Sequence, residues 1–173
     1  MALIVEDGTV VAGSECLCTL AFTTAYHLAR GNASWAALAS DTIREQHKRK
    51  AADYMRQKYR TLWAGWRISS AQALDWPRTS VPLPDVFGSS YGAYVPIDSI
   101  PSEVQLAESE LALRSIAGDL LGDTTQQVTR EKIGPIEVDY DKFSAQDTRY
   151  AAIDAMLRPY LAHASGALKM VRA

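Results

Sequence analysis

The sequence predicts a mainly α fold: a helical bundle of about four helices with a small β-hairpin and a long proline-rich loop. Three observations lead there. Apolar residues recur at helical spacing in several separate segments. Five prolines fall between residues 77 and 101, a stretch no long helix can cross. A short run, Lys132-Ile133-Gly134-Pro135-Ile136-Glu137-Val138, carries a turn signal at its centre.

Taken in order, Ala2-Leu3-Ile4-Val5 reads as a short strand stopped by the Asp7-Gly8 turn signal. Thr19 is an N-cap candidate for a helix that runs to Arg30 and stops at Gly31-Asn32. Its apolar side would hold Leu20, Thr24 and Leu28, with Ala21 and Ala25 alongside. A helical turn over 34–39 follows. The second long helix begins near Thr42, which has capping-box spacing with Glu45. Its stripe is Ala51, Ala52, Met55, Tyr59, Leu62, Trp63 and Trp66, and it frays before Gly65. Another turn of helix is expected over 70–74, ending at Trp76-Pro77, and a short strand within 91–97. Ser102 and Gln105 suggest a second capping box, opening a helix closed by Gly122. Val104, Ala107, Leu111, Leu113, Ile116, Ala117, Leu120 and Leu121 cover more than one face of it, so it belongs at the centre of the core or against a neighbour. The strand pair is expected at 128–133 and 136–140. Asp147 or Thr148 would cap a last helix carrying Tyr150, Ile153, Leu157 and Leu161, with Pro159 ending it. Residues 1–162 thus read as one domain, with the loop at 77–101 and the hairpin at 128–140, and 163–173 as a C-terminal tail.

Composition narrows the function. The 173 residues carry a net charge of −2, which gives no global attraction to nucleic acid. No run is apolar enough for a secretion signal or a membrane span. Cys16 and Cys18, at i and i+2, make an implausible disulfide, and with His27, His47 and His163 scattered no metal site is expected. No GxGxxG, GxxxxGK[ST] or GxSxG pattern occurs. Glu108 and Glu110 point to different helix faces, and nothing marks a pocket around Asp139 and Asp141. No catalytic residue and no cofactor are therefore expected.

Charge is unevenly placed, however. From Asp41 to Arg67 there are eight basic residues (Arg44, Lys48, Arg49, Lys50, Arg56, Lys58, Arg60 and Arg67) against three acidic ones, a local +5 that leaves −7 for the rest of the chain. The third helix and its flanks hold Asp98, Glu103, Glu108, Glu110, Asp119 and Asp123 against Arg114. One reading is a basic helix contacting nucleic acid through Arg44, Lys48, Arg49, Lys50, Arg56, Lys58 and Arg60, with Tyr54, Tyr59, Trp63 and Trp66 as stacking platforms. The other is that these charges meet the acidic helix, in the same or an adjacent subunit, and that the aromatics are core.

An ordered series of short segments adds a resemblance. These are Ala25-Tyr26, Ala29-Arg30-Gly31, Trp35-Ala36-Ala37-Leu38, Ala52-Asp53-Tyr54, Trp63-x-Gly65, Ala71-x-Ala73-Leu74-x-Trp76-Pro77-Arg78, Ile100-Pro101-x-x-Val104, Glu110-Leu111-Ala112 and Lys132-x-Gly134-Pro135-Ile136-x-Val138. Together they resemble a family of tailed-bacteriophage proteins labelled DnaT-like ssDNA-binding protein, many of which resemble head–tail connector (adaptor) proteins. The chain departs from that pattern at Phe22, where an acidic residue is usual, and at Cys16 and Leu17, where Ser and Tyr are usual. The resemblance implies a structural virion protein of the phage neck, assembled in the host cytoplasm. It would form a homo-oligomeric ring, a dodecamer, between the portal protein and a tail-side neck or tail-completion protein. DNA would pass through its packaging and ejection channel without sequence-specific contact, and no membrane would be involved. On that reading Trp63, Trp66, Trp76, Leu161, Leu168, Met170, Val171 and Arg172 form the subunit and portal interface, and opposite charge on two helices closes the ring head to tail. The alternative is a single-stranded DNA-binding protein using the basic helix over 44–67.

Overall fold

The computed structural model describes residues 3–83, 93–122, 130–133, 136–139 and 149–162. They form helices α1 (Leu20–Ala29), α2 (Ala33–Ala36), α3 (Asp41–Tyr59), α4 (Ser102–Arg114) and α5 (Ala151–Leu157). Two short antiparallel pairs join them: β1 (Trp66–Arg67) with β2 (Arg78–Thr79), and β3 (Arg130–Ile133) with β4 (Ile136–Asp139). The fold is therefore mainly helical with a small hairpin, as the periodicity predicts. The Gly134-Pro135 turn, the caps at Asp147 or Thr148 and the tail over 163–173 lie outside the described residues.

Helix α4 is the central element and packs on α1, α3 and α5. Its Val104, Ala107, Leu111 and Ala112 are fully buried against Ala51 and Met55 of α3 and Ile153 and Leu157 of α5 within one core. Leu121, beyond its end, is half exposed. The N-terminal segment makes one bridge, Val5 with Cys16, in place of the strand expected at 2–5. The Glu6 side chain organises the loop that follows. It is buried, and its carboxylate accepts from the backbone N–H groups of Gly8, Val10 and Val11 and from the Ser14 hydroxyl.

Several helix ends differ from expectation for local reasons. Thr19 caps α1 as predicted, accepting from the Phe22 N–H, and Gly31 at φ +66° terminates it. The buried face of α1, however, is Thr23, Tyr26 and His27, while Leu28 is exposed. Polar groups win that face because α4 offers them partners. Ser40 caps α3, accepting from the Ile43 N–H; Thr42 lies inside the helix, and Glu45 turns to Arg49 instead. Ser102 likewise lies inside α4, behind Pro101, and no side chain caps that helix. It ends at Arg114, so Gly122 is not its C-terminal stop. The helical turn expected at 70–74 is a series of bends, and the strand expected within 91–97 is a single bridge, Pro82 with Tyr94. The β1–β2 pair was not legible in the sequence, being two residues long on each side. Pro159 does end α5, in a 3₁₀ turn at Arg158–Tyr160.

The polar face of α1 carries a pH response. His27 Nε2 lies 2.9 Å from the Ser109 carbonyl oxygen, to which it donates, and Nδ1 lies 2.9 Å from the Asn32 side-chain nitrogen, from which it accepts. That tautomer is neutral, and burial lowers the His27 pKa despite the Ser109 carbonyl's opposing pull. Above about pH 6.5 folded and unfolded chains both hold His27 neutral. As pH falls below that value the unfolded chain takes up the proton first, so stability is lost down to the depressed folded pKa. Urea unfolding at pH 7.5 and pH 5.5 should show this loss, reduced in His27→Gln. An equal pH dependence in the variant would place the response elsewhere; His47, also lowered by burial, is the next group to test.

Candidate nucleic-acid interface

The basic run on α3 divides into two parts. Lys48 is wholly buried: its Nζ lies 2.5 Å from Glu108 Oε1, and it donates to Thr23 Oγ1 at 3.1 Å and to Cys18 Sγ at 3.0 Å. Burial opposes its charge, but Glu108 outweighs that and holds the Lys48 pKa above its ordinary value. Lys48 thus cannot reach a phosphate. Arg49 is bidentate on Glu15, at 2.9 Å for each bond. Arg44 pairs with Asp41 at 2.7 Å and donates to the carbonyls of Ala36 and Leu38, closing the α2–α3 connection. Lys50 meets Asp119 at 3.6 Å, and Arg56 meets Asp53 at 3.0 Å. The cations of the first part each have a carboxylate within the chain, Lys48 in the core and Lys50 and Arg56 on the surface. Lys48 is a structural residue, which corrects the expectation that it contacts nucleic acid, while Arg44 and Arg49 spend donors on Asp41 and Glu15. Lys48 of basic α3 is neutralised by Glu108 of acidic α4 within one chain, so that pair is not available to close a ring.

The aromatics are sorted in the same way. Tyr54, Tyr59, Trp63 and Trp76 are buried and meet edge to face or tilted, in the order Tyr54–Tyr59, Tyr59–Trp63, Trp63–Trp76 and Trp76–Tyr160, with centroids 5.6–6.2 Å apart. They hold the core together, so Trp63 and Trp76 are not interface residues, nor are Tyr54, Tyr59 and Trp63 stacking platforms. Leu161 is half-buried and bridges to Trp63. Leu168, Met170, Val171 and Arg172 lie outside the described residues. Of the residues named for either surface, Trp66 is the aromatic left in solvent, 73% exposed.

Past the middle of α3 a different arrangement appears. The chain after α5 is stitched to the chain after α3: the Ala162 N–H donates to the Leu62 carbonyl at 2.7 Å and the Ala64 N–H to the Tyr160 carbonyl at 2.9 Å. This closes a groove of about 520 Å³ lined by Lys58, Tyr59, Leu62, Arg149, Asp154, Arg158 and Leu161. Asp154 is shared: it accepts from the Tyr59 hydroxyl at 2.6 Å and lies 3.6 Å from Lys58 Nζ, which also donates to the Tyr54 hydroxyl at 2.9 Å. Among the described residues neither Arg149 nor Arg158 has an ion-pair partner, and both are exposed. The groove thus sets three cations against one carboxylate above an apolar floor of Leu62 and Leu161. That combination suits a polyanion with apolar faces. Sequence reading missed Arg149 and Arg158 because they stand nine residues apart, at the two ends of α5, and form no basic run. Only the closure of residues 160–162 onto 62–64 brings them beside Lys58.

The same geometry offers little for chemistry elsewhere. Cys16 and Cys18 are buried free thiols; burial pushes Cys16 up to about 12 and raises Cys18. Among the described residues no three His, Cys, Asp or Glu side chains gather to hold a metal ion, and no helix is long and apolar enough to cross a membrane.

A family model described as "Putative DnaT-like ssDNA binding protein" matches residues 1–173, the whole chain. The chain belongs to this family. No curated protein and no solved structure matches it. The family's description speaks of single-stranded DNA and says nothing of a portal, a neck or a ring. The head–tail adaptor expectation is corrected accordingly: the family gives no support to the dodecamer, the portal and tail-side partners or the channel that merely passes DNA. Membership favours the alternative reading, and the buried Lys48 cannot carry it.

Proposed function

We propose that this chain binds single-stranded DNA along the groove between the end of α3 and α5. The observation that carries the proposal is the meeting of Lys58, Arg149 and Arg158 over Leu62 and Leu161, in a member of a family described as binding single-stranded DNA. The arginines suit phosphate oxygens because the guanidinium donates in a planar fork. The leucines suit the apolar faces of sugars and bases. Nothing in the groove distinguishes one base from another, so affinity should depend on phosphates and salt rather than on sequence.

Titration of a labelled oligonucleotide between about 50 and 200 mM salt tests this. Three phosphate contacts to a single strand should give a log–log salt slope of about −2, at about −0.7 for each phosphate neutralised. Arg149→Ala with Arg158→Ala should weaken binding and reduce the slope to about −0.7. No binding at low salt, or an unchanged slope in the double variant, would refute the assignment. Lys48, Arg49 and Lys50 are poor choices for such a test, because removing the buried Lys48 would confuse lost contact with lost fold.

A further inference from the structure

We infer that Trp66 is a stacking platform for an unpaired base of the strand held in the groove; this rests on the single-stranded DNA reading and adds to it the place that takes a base rather than a phosphate. Trp35, Trp63 and Trp76 are buried, whereas Trp66 exposes 73% of its surface. The core has no use for that indole. Its backbone is nevertheless held firmly. Trp66 pairs with Thr79 on β2, and Arg67 with Arg78. The buried Arg78 guanidinium donates from Nε to the Ala64 carbonyl at 2.9 Å and from Nη2 to the Gly65 carbonyl at 2.8 Å, fixing the two residues before Trp66. Gly65 sits at φ +65°, and a Cβ there would stand 2.1 Å from the Thr79 carbonyl oxygen. The indole is therefore carried on a pre-formed frame, so little order is lost when a base lands on it.

Position and charge name the occupant. Leu62, on the groove floor, is four residues from Trp66, so their Cα atoms are at most about 14 Å apart. A strand lying in the groove reaches that far within a few nucleotides. Arg60 is exposed and Arg67 half-buried on either side of Trp66, and no acidic residue occurs from Arg60 to Leu74. The first carboxylate after them, Asp75, is buried. An exposed aromatic face in a stretch without acidic residues fits a base of an anionic strand, since every base presents a π-face and stacking tolerates any sequence.

The test crosses two changes. The full-length chain and its Trp66→Ala variant are titrated with a labelled oligonucleotide and with an abasic strand of equal length and phosphate number. The variant should lose about tenfold or more in affinity for the normal strand. Its salt slope should be unchanged, and the abasic strand should bind both proteins equally. Trp66→Phe should recover part of the loss. If Trp66→Ala weakens both strands alike, or neither, the stacking role is wrong while the groove reading stands. If the variant alters sedimentation of the free protein, the indole covers a second copy instead, and the inference falls. If the unmodified chain binds no oligonucleotide at low salt, the groove reading fails and takes the inference with it.

Discussion

Lys48→Met should lower stability by about 3–5 kcal/mol, the cost of leaving one member of a buried ion pair without the other. The loss comes from what remains. Glu108 is fully buried, and its Oε1 loses the lysine at 2.5 Å while its Oε2 still accepts from the Leu17 N–H at 2.5 Å. Thr23 Oγ1 and Cys18 Sγ also lose the ammonium they accept from. Urea denaturation of the variant measures the effect. A second change separates a lost pair from a lost shape. Lys48→Met with Glu108→Leu removes both charges and should be more stable than Lys48→Met alone. Recovery should be partial, because the Leu17 N–H then has no acceptor, and an orphaned buried N–H costs about 1–3 kcal/mol. A single variant within about 1 kcal/mol of the unmodified chain would mean that the cluster is not dry, and that Lys48 is less committed to the core than its geometry states.

This buried pair also explains why the charge pattern misled. Lys48-Arg49-Lys50 reads as a basic surface run because composition cannot tell a cation facing water from one facing a carboxylate across the core. The acidic excess on α4 was equally visible, and the two facts together pointed to mutual pairing. What was not visible was that the pair joining the two helices, Lys48 with Glu108, is intramolecular and buried. That follows from α3 and α4 being direct neighbours in the core, a long-range contact between residues 60 apart for Lys48 and Glu108. The helices themselves were legible, since their apolar spacing is local: α1, α3, α4 and α5 lie within the segments the periodicity marks, although α3 stops at Tyr59 and α4 at Arg114, short of the expected ends. Their starts were less so. Ser40 and Thr42 are both competent caps, and the chain uses the earlier one. Leu28 and His27 illustrate the same limit. Hydrophobicity alone puts leucine inside, but the Ser109 carbonyl and Asn32 give the imidazole partners that make its burial tolerable.

The groove was legible only in fragments. Lys58 belonged to the basic run and Leu161 to the apolar stripe of the last helix, yet nothing local joins them. Their meeting depends on two backbone hydrogen bonds between 62–64 and 160–162. Trp66 was grouped with Trp63 and Trp76 because tryptophan is usually buried or at an interface. Helix α3 ends at Tyr59, and past the αL turn at Gly65 β1 carries the indole outward while Tyr59 and Trp63 stay inside.

That frame should fail if its fastener is removed. Arg78→Met should cost about 3 kcal/mol, from two buried carbonyls and one part-buried carbonyl that lose a charged donor, less the relief of not burying a guanidinium. The carbonyls are those of Ala64, Gly65 and Asp75, at 2.9, 2.8 and 3.1 Å. Asp75 suffers further. Its carboxylate is buried, which raises its pKa, and Arg78 is among the cations that pull it back down. Arg78→Lys should recover little, because a single ammonium cannot fork to carbonyls on residues 64, 65 and 75 at once. Urea denaturation gives the stability. The oligonucleotide titration gives a second readout: with β1 unfastened, the Trp66-dependent part of binding should fall, and the salt slope set by Lys58, Arg149 and Arg158 should hold. A lysine variant equal to the unmodified chain in both measurements would show that charge alone, and not the fork, keeps Trp66 in place.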